Sequence, residues 1–100
     1  MRTRNMSLTD HGVVPGDENA LKYYCRKLTV EERLRLFQCS ISVAPGLEIA
    51  IYESITEGKG YRTQIKRGNQ IPAKEDDFYA YQRKVLAEFY DWLRMTGKWK

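Results

Sequence analysis

Residues 47–66 read LEIAIYESITEGKGYRTQIK, and the period of this stretch decides the fold. Pro45-Gly46 turn the chain just before it. Leu47, Ile49, Ile51 and Ile55 then alternate with Glu48, Ala50, Tyr52 and Ser54. After Gly58-Lys59-Gly60, Tyr61, Thr63 and Ile65 alternate with Arg62, Gln64 and Lys66. Two alternating runs joined by a short glycine loop predict an antiparallel β-hairpin with one buried and one solvated face. Two strands alone are marginal in water, so either a third short strand at SISVA (residues 40–44) or close helix cover is expected.

On both sides of this stretch the period is helical. Leu21, Tyr24, Cys25 and Leu28 align on one face of a short helix over about 18–27, with Asp17 as its N-cap candidate. Thr29 and Glu32 form a capping box that starts a second helix, along which Val30, Leu34, Phe37 and Ile41 recur as the apolar stripe. That assignment turns Glu31, Arg33 and Arg35 outward. A long helix begins near residues 74–77, whose three acids suit the positive end of a helix dipole, and runs to about Thr96 before a Gly97 stop. Its stripe is Phe78, Tyr81, Val85, Phe89, Trp92 and Leu93. The predicted class is α+β: two short N-terminal helices, an antiparallel hairpin and a long C-terminal helix. Residues 1–12 lack periodicity and read as a flexible tail, leaving 13–100 as a single small domain.

Composition bounds function loosely. Among 100 residues, 42% are hydrophobic, enough for one core, and no run approaches the ~20 apolar residues of a membrane span. The N-terminal stretch has no apolar signal-peptide region, so a cytoplasmic location is expected. Seventeen basic against thirteen acidic residues give a net charge of +4, interleaved along the chain, which fits nucleic acid or an acidic protein surface. Cys25, Cys39 and His11 lack zinc-site spacing, and both cysteines read as buried free thiols. No cofactor or metal is called for.

Several constellations bear on chemistry. Glu57-x-Lys59 matches part of a restriction-type nuclease site, but it falls in the hairpin turn and lacks the preceding strand's acid pattern. Gly58-Lys59-Gly60 lacks the strand-to-helix context of a phosphate loop, and its glycines read as turn residues. Glu75-Asp76-Asp77 diverge around a helix and read as start charges, not as ion ligands. Lys59, Arg62, Lys66 and Arg67 give the second strand a basic outer face, able to contact phosphates or simply to solvate the edge. Twelve aromatics, seven of them tyrosine, exceed what one helix face needs. Tyr79, Tyr90 and Trp99 lie off the stripe, and with Arg83 and Arg94 they have the composition of an interface hot spot. Ile71-Pro72, in a polar loop, reads either as a helix-start spacer or as a cis bond open to a prolyl isomerase.

Two stretches, GNQIPAKEDD (68–77) and FYDWLRMTGKWK (89–100), resemble small accessory proteins of temperate bacteriophages. Among these the chain is similar to the anti-RecBCD proteins of lambdoid phages. The resemblance implies a host protein complex acting on nucleic acid as partner, and a function of blocking or redirecting it; it assigns no site residues. The first expectation is therefore a non-enzymatic interaction module using Tyr79, Arg83, Tyr90, Arg94 and Trp99, with Ile71 and Pro72 as a further contact that a prolyl isomerase could use. The alternative is a direct DNA or RNA binder using Lys59, Arg62, Lys66 and Arg67. A small hydrolase built on Glu57-x-Lys59 ranks third.

Overall fold

In the computed structural model, which describes residues 7–99, the stretch 47–66 is helical on both sides of its glycines. The elements are α1 (Glu18–Tyr24), α2 (Val30–Val43), α3 (Glu48–Glu57), α4 (Tyr61–Lys66) and α5 (Glu75–Met95). The described residues contain no strand, so the α+β class and the hairpin are corrected to an all-helical fold. The third strand expected at residues 40–44 is also replaced: these residues finish α2, with Ala44 as its C-cap.

The physical reason lies in residue spacing. Leu47, Ile51 and Ile55 are four apart, a separation that satisfies both a two-residue and a 3.6-residue period. Only the residues between them discriminate. Ile49 would share their face in a strand, yet it is 63% exposed, and Ser54, which a strand would turn outward, is 6% exposed. Ser54 reaches α5, donating from Oγ to Gln82 Oε1 at 2.7 Å. In α4 the inward residue is Gln64, predicted to face out beside Arg62 and Lys66. Its Nε2 donates to the carbonyls of Ala50 at 2.9 Å and Lys59 at 2.7 Å, tying α4 to α3.

The glycines join helices, not strands. Gly58 ends α3 at φ 74°, in the left-handed region that favours glycine. Gly60 has an ordinary φ of −67°; there the constraint is space, since a Cβ would lie 2.6 Å from the Tyr79 hydroxyl.

The helices read from local signals are present. Thr29 Oγ1 accepts from the Glu32 amide at 3.2 Å, and Glu32 Oε1 accepts from the Thr29 amide at 2.8 Å, completing the capping box. α5 is central: it packs against α2, α3 and α4, and buries Phe78, Val85, Leu86, Phe89, Tyr90 and Leu93. α1 and its C-terminal extension add Leu21, Cys25 and Leu28 to the core. Of the segment read as a tail, residues 1–6 lie outside the described residues. From Ser7 onward it forms turns, with Leu8 and Val13 in the core. Among the described residues no helix is long and apolar enough to cross a membrane.

Candidate interaction surface

The basic residues assigned to a hairpin face are redistributed by the helices. Arg62 lies on α4, where its Nε and Nη2 donate to the two carboxylate oxygens of Glu75 at 3.0 and 3.2 Å, a bidentate pair that spends its charge inside the chain. Lys59 pairs with Glu57 at 2.9 Å, so the residues of the nuclease-like motif neutralise each other at the end of α3. Lys66 and Arg67 are exposed at the end of α4.

A different cationic group forms instead. The Glu57 carboxyl is held below its usual range by its hydrogen bond and charge interaction with Lys59, then by Arg67 and Arg33. Arg26 approaches from the other side, with Nε donating to the Ile55 carbonyl at 3.2 Å and its guanidinium against Gly58. Lys59, Arg67 and Arg33 thus act on one carboxylate, and Arg26 joins them at the C-terminal end of α3, where the helix dipole also favours positive charge. Lys59 and Arg67 were legible as candidates; Arg26 and Arg33 were not, because only the fold brings them there.

The aromatic–basic set on α5 is not assembled as one exposed face. Tyr90 is 1% exposed, and its hydroxyl donates to Asp17 Oδ2 at 2.7 Å. Trp99 Nε1 donates to the same oxygen at 3.2 Å, and the indole stands edge-on to Tyr24 and Tyr90 with both centroids at 5.5 Å. Tyr79 is half-buried, its hydroxyl accepting from the Tyr61 amide at 3.0 Å. Arg94 lies over the Tyr90 ring at 5.4 Å, and Arg83 is half-buried further along α5. Tyr90 and Trp99 thus tie α5 and the segment after it to Asp17, and Tyr79 ties α5 to the start of α4. Ile71 is half-buried against the core, and the Ile71-Pro72 bond is trans. Pro72 is exposed and lines a shallow groove of about 480 Å³ with Val43, Pro45, Leu47 and Tyr81.

The feature the sequence misplaced is the apolar stripe of α2. At about 100° per residue, Val30, Leu34, Phe37 and Ile41 lie within an arc of about 60°. Leu36, Cys39 and Val43 lie roughly opposite, and it is that side which faces α5, together with Glu32 and Ser40. Val30 is therefore 75% exposed, Leu34 62% and Ile41 46%. Phe37 meets Tyr52 of α3 edge-on at 5.5 Å, and Ile49, one turn before Tyr52, carries the apolar surface across onto α3. Arg33 flanks this stripe, so its lower end runs into the cationic group.

Neither thiol is placed for nucleophilic chemistry. Burial pushes the Cys25 thiol up to about 12 and raises that of Cys39. The charged groups acting on them are Arg26 and Glu32, and Arg35 and Glu88, while His11 sits among Arg83, Lys84 and Asp10. Compared with protein-family models, with curated proteins and with solved structures, the chain matches none.

Proposed function

We propose that the chain is a non-enzymatic interaction module that binds a larger protein assembly acting on nucleic acid and inhibits or modulates it in a host cytoplasm. The observation that carries this reading is the outward apolar stripe of α2, continued by Ile49 and Tyr52 and ending at a cationic group. Contiguous exposed apolar surface of this kind is typical of protein contact sites. The apolar residues supply affinity, and Arg26, Arg33, Lys59 and Arg67 steer the encounter. The nature of the assembly follows the anti-RecBCD resemblance, which implies a host recombination nuclease as partner.

The test is capture from a bacterial lysate by tagged wild-type chain and by Leu34→Asp, with the captured proteins identified and assayed. The expected result is a nucleic-acid-processing complex held by the wild type and released by the variant, whose activity on DNA changes when the chain is added. Recovery of no protein, or equal recovery by both chains, refutes the reading. Magnesium-dependent DNA cleavage by the purified chain that stops in Lys59→Ala refutes it in favour of an enzyme.

A further inference from the structure

Resting on the protein-binding reading above, the geometry points to a specific occupant: we infer that the α2–α3 face receives an acidic amphipathic helix of a partner protein, seated along the α2 stripe with its carboxylates at the Arg33 end. Three observations carry this.

The first is shape. The steps between Val30, Leu34, Phe37 and Ile41 are four, three and four residues, the spacing of a helix-packing seam. A seam of this kind presents alternating knobs and holes to another helix, and at 1.5 Å per residue it runs about 16 Å, or three turns. An extended peptide would need unpaired strand edges for its main-chain hydrogen bonds, and the described residues contain no strand.

The second is charge. Lys59, Arg67 and Arg33 act on Glu57 at one end of the stripe, and Arg26 lies at the same end of α3, bonded to the Ile55 carbonyl. A partner that covered the stripe with neutral or basic residues there would leave cations facing cations or partly desolvated without a counter-charge, which is costly. A carboxylate-bearing helix end pairs with them, and its C-to-N polarity is then set by where its acids fall.

The third is area. Covering the exposed parts of Val30, Leu34, Ile41 and Ile49 removes a few hundred Å² of apolar surface. A stable interface needs ~800 Å² per partner, so the stripe is the centre of a contact completed by its charged rim. Charge disfavours self-pairing. Parallel pairing of two copies sets the cationic ends against each other. Antiparallel pairing sets them against the Ile41–Ile49 end, where Glu48, itself accepting from the Gly46 amide, offers one carboxylate to several cations. Nucleic acid would satisfy the cations but leave the apolar stripe in water.

The experiment is fluorescence anisotropy with three probes against the purified full chain. The first is a labelled synthetic amphipathic helix of about 16 residues with leucines at seam spacing and glutamates toward one end. The second is the same peptide with lysines for glutamates, and the third is short single-stranded and duplex DNA. The acidic peptide is expected to bind at least about tenfold more tightly than either of the others, a difference of one decade in Kd. Arg33→Glu combined with Arg67→Glu should invert the preference between the two peptides, and Leu34→Asp or Val30→Lys should abolish binding of both with the circular dichroism spectrum unchanged. Equal binding of the lysine peptide overturns the inference, as does tighter binding of DNA. Sedimentation as a dimer that Leu34→Asp dissociates overturns it in favour of a second copy. If the acidic peptide fails to bind while a lysate partner is still captured through Leu34, the acidic-helix inference falls and the protein-binding reading stands; loss of both removes both.

Discussion

Gln64 and its neighbour Ile65 provide a direct test of the helical assignment, because the two periods exchange their positions. In α4 the Gln64 side chain is buried and donates two hydrogen bonds to main-chain carbonyls, while Ile65 is exposed. In a strand, Ile65 would face the core and Gln64 the solvent. Truncating Gln64 to alanine removes two hydrogen bonds at about 1 kcal/mol each and a buried methylene at about 0.8 kcal/mol, a loss of about 3 kcal/mol. Ile65→Ala removes a side chain that is partly in water and improves helix propensity, so its cost stays below about 1 kcal/mol. A strand reverses the order, with Ile65→Ala costing about 2–5 kcal/mol and Gln64→Ala close to nothing. Against a total stability of about 5–15 kcal/mol, a loss of 3 is large, and it corresponds to a fall in Tm of roughly 12–24 °C for a domain of this size. Urea unfolding followed by circular dichroism at 222 nm reads both variants. Gln64→Glu sharpens the comparison, since an ionised carboxylate of the same shape donates nothing and points at two carbonyl oxygens. If Ile65→Ala proves more destabilising than Gln64→Ala, or Gln64→Glu is neutral, the inward placement of Gln64 and the helical reading of 61–66 are wrong.

Four further outcomes are expected. Gly60→Ala should cost about 1–3 kcal/mol through overpacking against the Tyr79 hydroxyl, and much less in a Tyr79→Phe background, which itself loses the acceptor of the Tyr61 amide; the urea midpoints of the two singles and the double measure this coupling. Tyr90→Phe removes one of the two side-chain hydrogen bonds described at the Asp17 carboxylate, leaving that from Trp99, and should lower stability by about 1.5 kcal/mol in the same assay, whereas a residue serving only as an external anchor would leave it unchanged. Leu34→Asp should stay within about 0.5 kcal/mol of the wild type, as an exposed substitution away from caps and networks. Burial raises the Glu32 carboxyl, but the Thr29 amide, the Tyr24 hydroxyl and the Thr29 hydroxyl together with Lys98 outweigh it, so its folded pKa lies below the ordinary value. A carboxyl lowered on folding contributes stability above its unfolded pKa of about 4.3 and loses that contribution as the pH falls through the folded value. The urea midpoint should therefore drop on acidification from about pH 6 to about pH 3, with a shallower drop in Glu32→Gln; identical slopes would count against it.

What the sequence made legible was whatever is encoded within a few residues. The Thr29–Glu32 box needs only a spacing of three and two compatible side chains, and it forms as written. The acidic start of α5 and the Gly97 stop are equally local, and the helix observed between them runs from Glu75 to Met95. The hairpin expectation fails because Leu47, Ile51 and Ile55 obey both periods, and because Ile49, which completes the alternation, belongs outside. The corrective signal was weak: buried Ser54 and Gln64 are polar, and nothing local announces that Gln82, Ala50 and Lys59 will supply their partners. The aromatic surplus went astray for a related reason. Tyr90 and Trp99 are off the main stripe of α5, and their place inside depends on Asp17, more than seventy residues earlier in the chain.

The inverted orientation of α2 carries the functional argument further than any motif does. Hydrophobic sorting alone would rotate this helix to bury Val30, Leu34 and Ile41 and release Glu32 and Ser40 to water. It instead keeps Glu32 and Ser40 inside: Thr29 and the Leu36 carbonyl, the latter accepting from Ser40 Oγ at 3.0 Å, satisfy them locally, while the Tyr24 hydroxyl bonds Glu32 and Lys98 pairs with the exposed Glu31 at 3.2 Å from other segments. Buried polar groups of this kind are tolerable because each has a partner, and the bonds from Tyr24 and Lys98 favour one rotation of the helix over another of similar apolar content. The core is complete without the stripe, since Leu36 and Cys39 fill the inward side. An apolar seam that the fold does not use, fixed outward by polar contacts that it does use, and set beside Arg33, is arranged as a surface for a second molecule.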